Sequence, residues 1–510
     1  MKPTPALPAA AGVGSAPSQS RNAERQRRSV GKALGPASVD HLGAPWYAHA
    51  VSPAPNEFRK RFYQELQDRP LDPVDDANLY VPLYADRSSS PTDPVGELQT
   101  TIEWSSVQSA QLFSGFRGTG KSTELRRLRR GLEASGCVVV LCDMKDYLNM
   151  STPVDISDFL LAAAGAFGEE LARDPTSIGE SVITEGYWTR FSAFLTRTHV
   201  DMTEVGLSAK GSLGEKDVGA IEAGAQIKLN LKQDPTFRQV LQERLKGHLG
   251  ALVNDVYEFF RDCILTLRKQ RKDETLRVVM LLDSIEQIRG TSINARDVAA
   301  ALETLFEGHA DKLRIPSMHV VYTVPPWLKI KAPGVAALYS NFQMIPCVKV
   351  RHINGLPCNA GLNELEKIVA NRGDWKQLLG DQEALNELLL ASGGYLRDLF
   401  RLLQTVLRLS RHDGLPASAR IRELAMDEVR NSYLPLANDD AEWLQRIHVS
   451  HGTELDGQDR LHDLARFFDT HLVLTYRNGA EWVAVHPLVI EQVERQAAAV
   501  AARQSKDETA

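Results

Sequence analysis

The sequence predicts an α/β protein with a parallel, doubly wound sheet, followed by a helical segment and a C-terminal hairpin. Five short apolar runs predict strands, and three of them, at Gly136–Cys142, Val278–Leu282 and Met318–Val324, have the β-branched character of strands that are buried on both faces. Helical patterns separate these runs, and this alternation predicts parallel pairing. The strand-like runs are Ala110–Phe113, Gly136–Cys142, Val278–Leu282, Met318–Val324 and Gln343–Val350. The helical patterns between them are Ser122–Ala134, Asp158–Leu171 and Ala295–His309.

Length and composition indicate a soluble, multidomain protein. A chain of 510 residues is too long for one core and predicts two to four domains. The net charge of −6 argues against a protein that coats nucleic acid along its whole surface. No apolar run approaches the roughly 20 residues of a membrane-spanning helix, and the N-terminus lacks the apolar stretch of a secretory signal. We therefore expect no membrane partner.

The cysteines support an intracellular location. They are odd in number and lack the paired spacing of a metal site. Most lie in or beside apolar segments, so we expect buried, reduced thiols and a cytoplasmic protein. The five are Cys137, Cys142, Cys263, Cys347 and Cys358.

Composition and periodicity divide the chain into five segments. The first is rich in Ala, Pro, Ser and Gly and cannot bury enough apolar surface to offset its ordering entropy. Near the end, two alternating strands flank Asn478-Gly479, a strong hairpin signal, and helices before a hairpin predict a winged helix. The predicted segments are a disordered tail (1–53), a sheet domain (54–355), a helical lid (356–412), a winged-helix domain (413–495) and a second tail (496–510).

One stretch exceeds the minimal βα unit. About 150 residues separate the Gly-rich loop near Gly115 from the Val278 strand. Within residues 205–272, the alternating run Ile227–Lys232 is compatible with a strand, and Asp234-Pro235 is a strong helix start. Two interpretations stay open: a helical arm that packs on the sheet domain, or an arm that senses a partner.

The segment Gly115–Ser122 matches the phosphate-binding pattern G-x-x-x-x-G-K-[ST]. Glycines let successive backbone N–H groups point at phosphates, and the helix that starts here adds its positive end. Lys121 supplies a charge for the β- and γ-phosphates, and the Ser122 hydroxyl is a hard ligand for Mg²⁺. The sequence thus predicts ATP and Mg²⁺ as ligands. The predicted cofactor-binding residues are Gly115, Gly118, Thr119, Gly120, Lys121, Ser122 and Thr123.

An acidic pair follows the Val278–Leu282 strand. Asp283, at the carboxyl end of that strand, is the predicted second metal-binding residue besides Ser122, and Glu286 is the predicted general base. A helix N-cap is the alternative for Asp283, and a solvated helix residue is the alternative for Glu286. The sequence therefore supports ATP hydrolysis less strongly than it supports ATP binding.

Two more residues are placed at the site by the predicted fold. Thr323 ends the Met318–Val324 strand, where its hydroxyl can face the γ-phosphate; the alternative is an ordinary strand residue. Arg397 begins a helix after Gly393-Gly394, so a lid would carry it toward the nucleotide. The alternative for Arg397 is a surface arginine. We count Glu286, Lys121, Thr323 and Arg397 as the candidate catalytic residues.

Together these elements resemble the AAA+ ATPases, and within them the STAND switches and the Orc/Cdc6-like initiators. The resemblance covers residues from about 95 to 490: the P-loop, a D-x-x-E second motif, a polar strand end, G-G-x-x-R and a winged helix. It implies a helical lid over the nucleotide, ATP-linked opening or oligomerisation, a sensor 1 role for Thr323 and a sensor 2 role for Arg397. Ser284 after Asp283 and the long insertion depart from the common pattern, and no arginine finger is assigned.

Two functions compete. The first is a molecular switch that couples ATP to a protein partner or to self-association, with a role in bacterial anti-phage defence as one setting. The second is a DNA-associated ATPase of the initiator or transposition-helper type. Residues Asp456–His486 contain five acidic residues but only three arginines, and this composition disfavours a helix that binds in a DNA groove. The basic run Arg126–Arg130 is a DNA face in one interpretation and a solvated helix side in the other. A small-molecule kinase has no use for the C-terminal half.

Overall fold

A computed structural model describes most of the chain. The described residues are 55–84, 92–173, 186–198, 216–291, 293–455, 457, 460–478 and 480–507. The predicted tail at 1–53 and part of the predicted insertion, residues 205–215, lie outside them. None of the helices within the described ranges combines the length and the apolar character needed to cross a membrane. The five cysteines are buried free thiols, as expected.

The central sheet has five strands in the order β2-β3-β4-β1-β5, and every neighbouring pair is parallel. This confirms the predicted parallel α/β sheet. The strands are β1 (Ser109–Gly115), β2 (Val138–Asp143), β3 (Val278–Asp283), β4 (His319–Val324) and β5 (Asn341–Ile345).

The fifth strand differs from the prediction of Gln343–Val350. It ends at Ile345 because Pro346 has no backbone N–H to offer a ladder. The next residue, Cys347, donates its N–H to Thr475 O of the C-terminal hairpin at 2.9 Å. Beyond the strand, Cys347 joins the core of the C-terminal hairpin, whereas Val348 and Val350 remain in the same core as Ile345.

Helices cover both faces of the sheet. On one face, Val279 and Leu281 pack with α2 and α3; on the other, Met280 and Leu282 pack with α4 and the arm. This alternation along β3 is the expected pattern of a strand buried on both faces. The helices up to β5 are α1 (Pro55–Glu65), α2 (Pro94–Trp104), α3 (Lys121–Ala134), α4 (Ile156–Arg173), α5 (Tyr187–Arg197), α6 (Lys216–Gln233), α7 (Pro235–Leu245), α8 (Leu249–Arg271), α9 (Ala295–Glu303) and α10 (Leu328–Lys331).

The inserted arm consists of helices α5 to α8, and one sequence interpretation of it is wrong. The alternating run Ile227–Lys232 lies in helix α6, not in a strand. Ile227 and Leu231 are buried while Leu229 is 47% exposed. Two buried residues four apart with an exposed one between them lie on one side of a helix, so the period-2 alternation arose by chance. The arm packs on the sheet domain through α4.

A helical lid and a second, smaller core follow the sheet. The C-terminal helices and the antiparallel pair β6–β7 confirm the predicted hairpin, with Asn478 paired to Ala480. These elements are α11 (Asn359–Ala370), α12 (Trp375–Leu379), α13 (Gln382–Ala391), α14 (Leu396–Leu409), α15 (Ala419–Asn431), α16 (Asn438–Ser450), α17 (Leu461–Asp469), β6 (Val473–Asn478), β7 (Ala480–Val485) and α18 (Ile490–Asp507).

The predicted second tail, 496–510, is helical over most of its length. Helix α18 continues to Asp507 and packs against α16. Gln496 donates to Leu436 O at 2.9 Å and to Asn438 Oδ1 at 2.8 Å, which anchors this part of the helix. The Ala-rich composition after residue 496 gave no apolar stripe, so the sequence signal was too weak to extend the helix.

Gly394, between helices α13 and α14 of the lid, packs against the backbone that follows strand β5. Its φ is +72°, and a Cβ there would lie 1.8 Å from Val348 O. We expect Gly394→Ala to lower the free energy of unfolding by about 1–3 kcal/mol, because the backbone must leave this conformation and the Val348–Gly394 hydrogen bond. Urea unfolding measures the change. Gly414→Ala is the control, because no atom lies within 4 Å of its added Cβ; equal effects of the two would contradict the assignment.

Candidate functional site

The Gly-rich loop joins β1 to α3 and has the backbone that the phosphate motif requires. Gly115, Gly118 and Gly120 adopt φ values of +150°, +90° and +94°. These values are strained for any residue with a Cβ, so glycine is needed at each position. Lys121 is the first residue of α3, which places the N-terminus of that helix at the loop.

The Lys121 ammonium is buried and fully engaged by the protein. Its Nζ lies 2.9 Å from Gly115 O, 2.8 Å from Phe116 O and 3.2 Å from Glu286 Oε1. The two carbonyl oxygens accept hydrogen bonds from the ammonium, and Glu286 is its ion-pair partner. Any phosphate that binds Lys121 must displace at least one of them, and the Glu286 carboxylate is the partner with the same charge as phosphate.

Asp283 faces Ser122 from the end of β3. Burial raises the pKa of the Asp283 carboxyl to about 6, and the nearby negative charge of Glu286 adds to the increase, while a hydrogen bond with Ser122 opposes it. The Asp283 carboxylate also accepts the Ser284 N–H at 2.8 Å. Ser284 has a φ of +70°, a left-handed turn that directs the chain from Asp283 to Glu286.

Glu286 lies in the short turn Ile285–Gln287, immediately beyond that bend. One of its carboxylate oxygens, Oε1, pairs with Lys121. The other, Oε2, is buried and has no hydrogen-bond partner in the described part of the chain. A buried carboxylate oxygen with an unused lone pair can accept a proton from a water molecule placed beside it.

Thr323 is close to these groups, but its hydroxyl is bound to the backbone. It donates to Leu282 O and accepts from Ile285 N, both at 3.1 Å. The side chain thereby ties the end of β4 to the turn that carries Asp283 and Glu286. The structure shows a positioning contact for Thr323 and no free hydroxyl for a phosphate.

Arg397 reaches the loop from helix α14 of the lid. Its side chain lies so close to Gly118 that a Cβ on that glycine would be 2.7 Å from Arg397 Nε. The guanidinium also pairs with Asp68, with Nε 2.8 Å from Asp68 Oδ2. The sequence prediction therefore placed Arg397 at the right loop but did not find its acidic partner.

Asp68 belongs to an N-terminal segment, residues 66–84, that the sequence analysis missed. This segment lies along α3: Leu71 N donates to Thr123 Oγ1 at 3.0 Å, and Tyr80 OH donates to Glu124 Oε1 at 3.2 Å. Thr123, a predicted cofactor-binding residue, thus uses its hydroxyl to anchor the segment. The segment is turn-rich and has no periodicity, so the sequence held no signal that would place it at the loop.

A small cavity lies between this segment, the Gly-rich loop and the lid. Its walls include Tyr80, Leu83, Thr119, Ile368 and Phe400, and its volume is about 70 Å³. Pockets that hold small ligands usually measure roughly 300–1,000 Å³. A nucleoside can therefore enter only if the segment or the lid moves away from the loop.

The C-terminal core also touches the loop, a contact that the sequence did not predict. The Phe116 ring lies 6.1 Å from Phe468 and 5.5 Å from His471, between ring centroids, and belongs to the same apolar cluster. Tyr395 OH donates to Arg117 O. On the other side, Arg289 NH2 lies 3.0 Å from Asp469 Oδ1, just beyond the turn that holds Glu286.

The basic run Arg126–Arg130 is largely neutralised. Arg127 pairs with Asp93 and Glu124, Arg129 with Glu133, and Arg130 with Asp72 and Asp75. The Arg126 guanidinium donates to the backbone of its own helix. The run is therefore bound to acids and backbone of the same chain.

The chain is similar to several solved structures at low sequence identity. No family model and no curated protein matches the chain. Solved structures that are similar include the Aeropyrum pernix ORC2 protein in its ADPNP–ADP complexes (12% identity, 83% of this chain and 97% of that one, TM-score 0.35). Cdc6p from Pyrobaculum aerophilum is similar at 12% identity, with 83% and 98% covered and a TM-score of 0.35.

The Drosophila ORC bound to GC-rich DNA and Cdc6 is similar at 11% identity and a TM-score of 0.30; the match covers 86% of this chain but 55% of that one. These are Orc and Cdc6 proteins, the group that the sequence resembles. The chain has an α/β P-loop fold with a helical lid. At such identities and TM-scores the likeness concerns the fold alone, and the chemistry of this P-loop rests on its own residues.

The raised pKa of Asp283 predicts a pH-dependent cost to stability. The folded chain holds this proton up to about pH 6, whereas an unfolded aspartate loses it near 3.8. The contribution of Asp283 to stability therefore falls as the pH rises from about 4 to 6 and stays low above that. We expect Asp283→Asn to raise the thermal midpoint relative to the wild type more at pH 7.5 than at pH 4.5.

The control is Asp273→Asn. Hydrogen bonds from Thr275 lower the pKa of this exposed carboxyl, so its loss should destabilise the protein at the higher pH. A pH-independent difference for Asp283→Asn would show that its carboxyl ionises normally.

Proposed function

We propose that this protein is an ATP-dependent molecular switch of the AAA+/STAND kind, which binds and hydrolyses ATP and couples the nucleotide state to a protein partner or to self-association. One observation carries the proposal: three segments far apart in sequence bring Lys121, the Asp283–Glu286 pair and Arg397 to one Gly-rich loop. Buried free thiols suit a cytoplasmic setting, and bacterial anti-phage defence is one such setting.

Phosphate binding would begin with an exchange at Lys121. The loop amides and the N-terminus of α3 attract the anion, and its oxygens replace Glu286 Oε1 on the ammonium. The ammonium keeps an anionic partner in this exchange, because a phosphate oxygen takes the place of the carboxylate oxygen.

Mg²⁺ suits the oxygen groups beside the loop. The Ser122 hydroxyl and the Asp283 carboxylate are hydrogen-bonded neighbours, and Asp283 is buried without a basic partner in the described residues. Both are hard oxygen donors of the type that Mg²⁺ prefers, so these two residues would hold it. When bound, the ion would neutralise charge that develops on the phosphates.

Glu286 would become available as a general base once Lys121 turns to phosphate. In the structure, Glu286 Oε1 is paired with the Lys121 ammonium at 3.2 Å, so this oxygen is not available to a water molecule. Release of this ion pair leaves a buried carboxylate that can accept a proton from the attacking water. Thr323 contributes indirectly, since its two backbone hydrogen bonds hold the turn that carries this carboxylate.

The lid would report the nucleotide through Arg397. A γ-phosphate near Gly118 competes with Asp68 for the guanidinium, and this transfer would draw α14 toward the loop. Because Phe116 and Tyr395 join the loop to the C-terminal core, the same movement would reach the β6–β7 hairpin.

The DNA-associated alternative receives less support from the contacts. The arginines of the α3 run are paired with acids or with backbone. Helix α17, which precedes the hairpin, packs against α10 of the sheet domain. In this arrangement neither element presents a free basic surface to phosphates.

Lys121→Ala should abolish measurable ATP binding, because the phosphate charge would be left uncompensated. Loss of one or two charge-assisted hydrogen bonds, each worth roughly 1.5–3 kcal/mol, predicts an affinity decrease of at least about tenfold. Calorimetric titration with ATP and Mg²⁺ measures it. Lys376→Ala, an exposed lysine on α12, is the control. Undiminished affinity in Lys121→Ala would refute nucleotide binding at this loop.

Glu286→Gln should keep ATP binding and slow hydrolysis by about 10²–10⁴-fold, because the amide cannot take the proton. Phosphate release measures turnover, and Glu307→Gln, an exposed acid, is the control. The slowed variant should also change its elution volume in size-exclusion chromatography when ATP is added. Unchanged turnover would remove Glu286 from the chemistry.

A further inference from the structure

A second cavity lies away from the P-loop, where the arm meets the sheet domain. It has a volume of about 500 Å³, within the range of small-molecule pockets. Three parts of the chain enclose it: the loop that enters α4 (152–156), helix α7, and the π-helical turn Thr304–Gly308 after α9. Its walls mix apolar residues such as Val154 and Leu305 with polar ones.

Three residues that line the cavity each have a buried polar atom that the described protein leaves without a hydrogen-bond partner. Arg238 Nε, Thr152 Oγ1 and His309 Nδ1 are buried, and none has a hydrogen-bond partner within the described residues. Arg238 is 6% exposed, and its printed contact is a long hydrogen bond of 3.4 Å from NH1 to Pro153 O. All three groups can donate a hydrogen bond, the histidine in one of its tautomers.

The positive charge of Arg238 is incompletely balanced by its surroundings. No carboxylate in the described ranges lies within ion-pairing distance of it. Burial raises the pKa of the Asp158 carboxyl to about 7, although the charge of Arg238 opposes the increase, and Asp158 Oδ2 accepts a hydrogen bond from Gln242 at 2.6 Å. Asp155, at the rim, accepts hydrogen bonds from the N–H and the hydroxyl of Ser157 at the start of α4.

We propose that this cavity binds a small oxyanion, the phosphate or carboxylate group of a metabolite, through Arg238, Thr152 and His309. An anion would supply the missing acceptors and the missing countercharge together, which a neutral ligand or water would not do. Apolar walls would contact the rest of the ligand.

The location assigns the ligand an effector role. It would touch the arm, the start of α4 and the turn after α9 at once, so its binding would fix the arm against the sheet domain. The site shares no residue with the P-loop, and its occupancy can be tested whether or not the chain binds ATP.

The test is calorimetric titration of the full chain with inorganic phosphate and, separately, with acetate, each against chloride at matched ionic strength. Lys121→Ala serves as the background, so that phosphate binding at the P-loop does not contribute. We expect saturable binding of at least one anion, and at least a tenfold loss of affinity in Arg238→Gln. Arg244→Gln, an exposed arginine on the same helix, should bind as the background does.

Binding of phosphate alone would identify a phosphorylated ligand, and binding of acetate alone a carboxylate. Without ligand, Arg238→Gln should unfold at the same temperature as the background or higher, because an unbalanced buried charge has been removed; a purely structural arginine would give a lower midpoint. If Arg238→Gln does not fold, Thr152→Val replaces it in the titration. Absence of saturable binding, or equal affinities in Arg238→Gln and Arg244→Gln, would overturn the proposal.

Discussion

The buried ion pair between Lys121 and Glu286 constrains the whole P-loop. The ammonium donates two hydrogen bonds to the loop backbone and forms an ion pair with the carboxylate. The Glu286 carboxylate in turn raises the pKa of Asp283, in addition to the larger increase that burial causes. Removing either partner would leave an uncompensated charge in a closed cleft, which is among the costlier changes a protein can suffer. The loop is thus held in one conformation by the groups that catalysis would use.

The same arrangement repeats at the lid. Arg397 is held by Asp68 against Gly118, as Lys121 is held by Glu286. Both cations facing the proposed phosphates therefore have an acidic partner of the chain's own, and both partners must give way before a nucleotide is fully bound. Together with the 70 Å³ cavity between the lid and residues 66–84, this makes nucleotide entry a conformational event.

Sequence reasoning succeeded where a local pattern has one physical cause. The glycines of the P-loop, the buried run that ends at Asp283, and the hairpin at Asn478 each follow from backbone geometry or burial, and each lies where it was expected. It failed where the cause lies elsewhere in the chain. Ile227 and Leu231 are helical because the arm's core selects one side of α6. The hydroxyl of Thr323 is bound to a neighbouring strand, and no motif at residue 323 states this.

Phe116 occupies a variable position of the phosphate motif, yet it is buried in the C-terminal core beside Phe468, a residue more than 350 positions later in the sequence. The choice of side chain at that position is therefore set by Phe468 and His471 as well as by the loop. Chimeras that exchange the C-terminal half between related proteins would need the matching residue inside the motif. In an alignment of homologues, position 116 should covary with the 468–471 turn even though its neighbours Gly115 and Gly118 stay fixed.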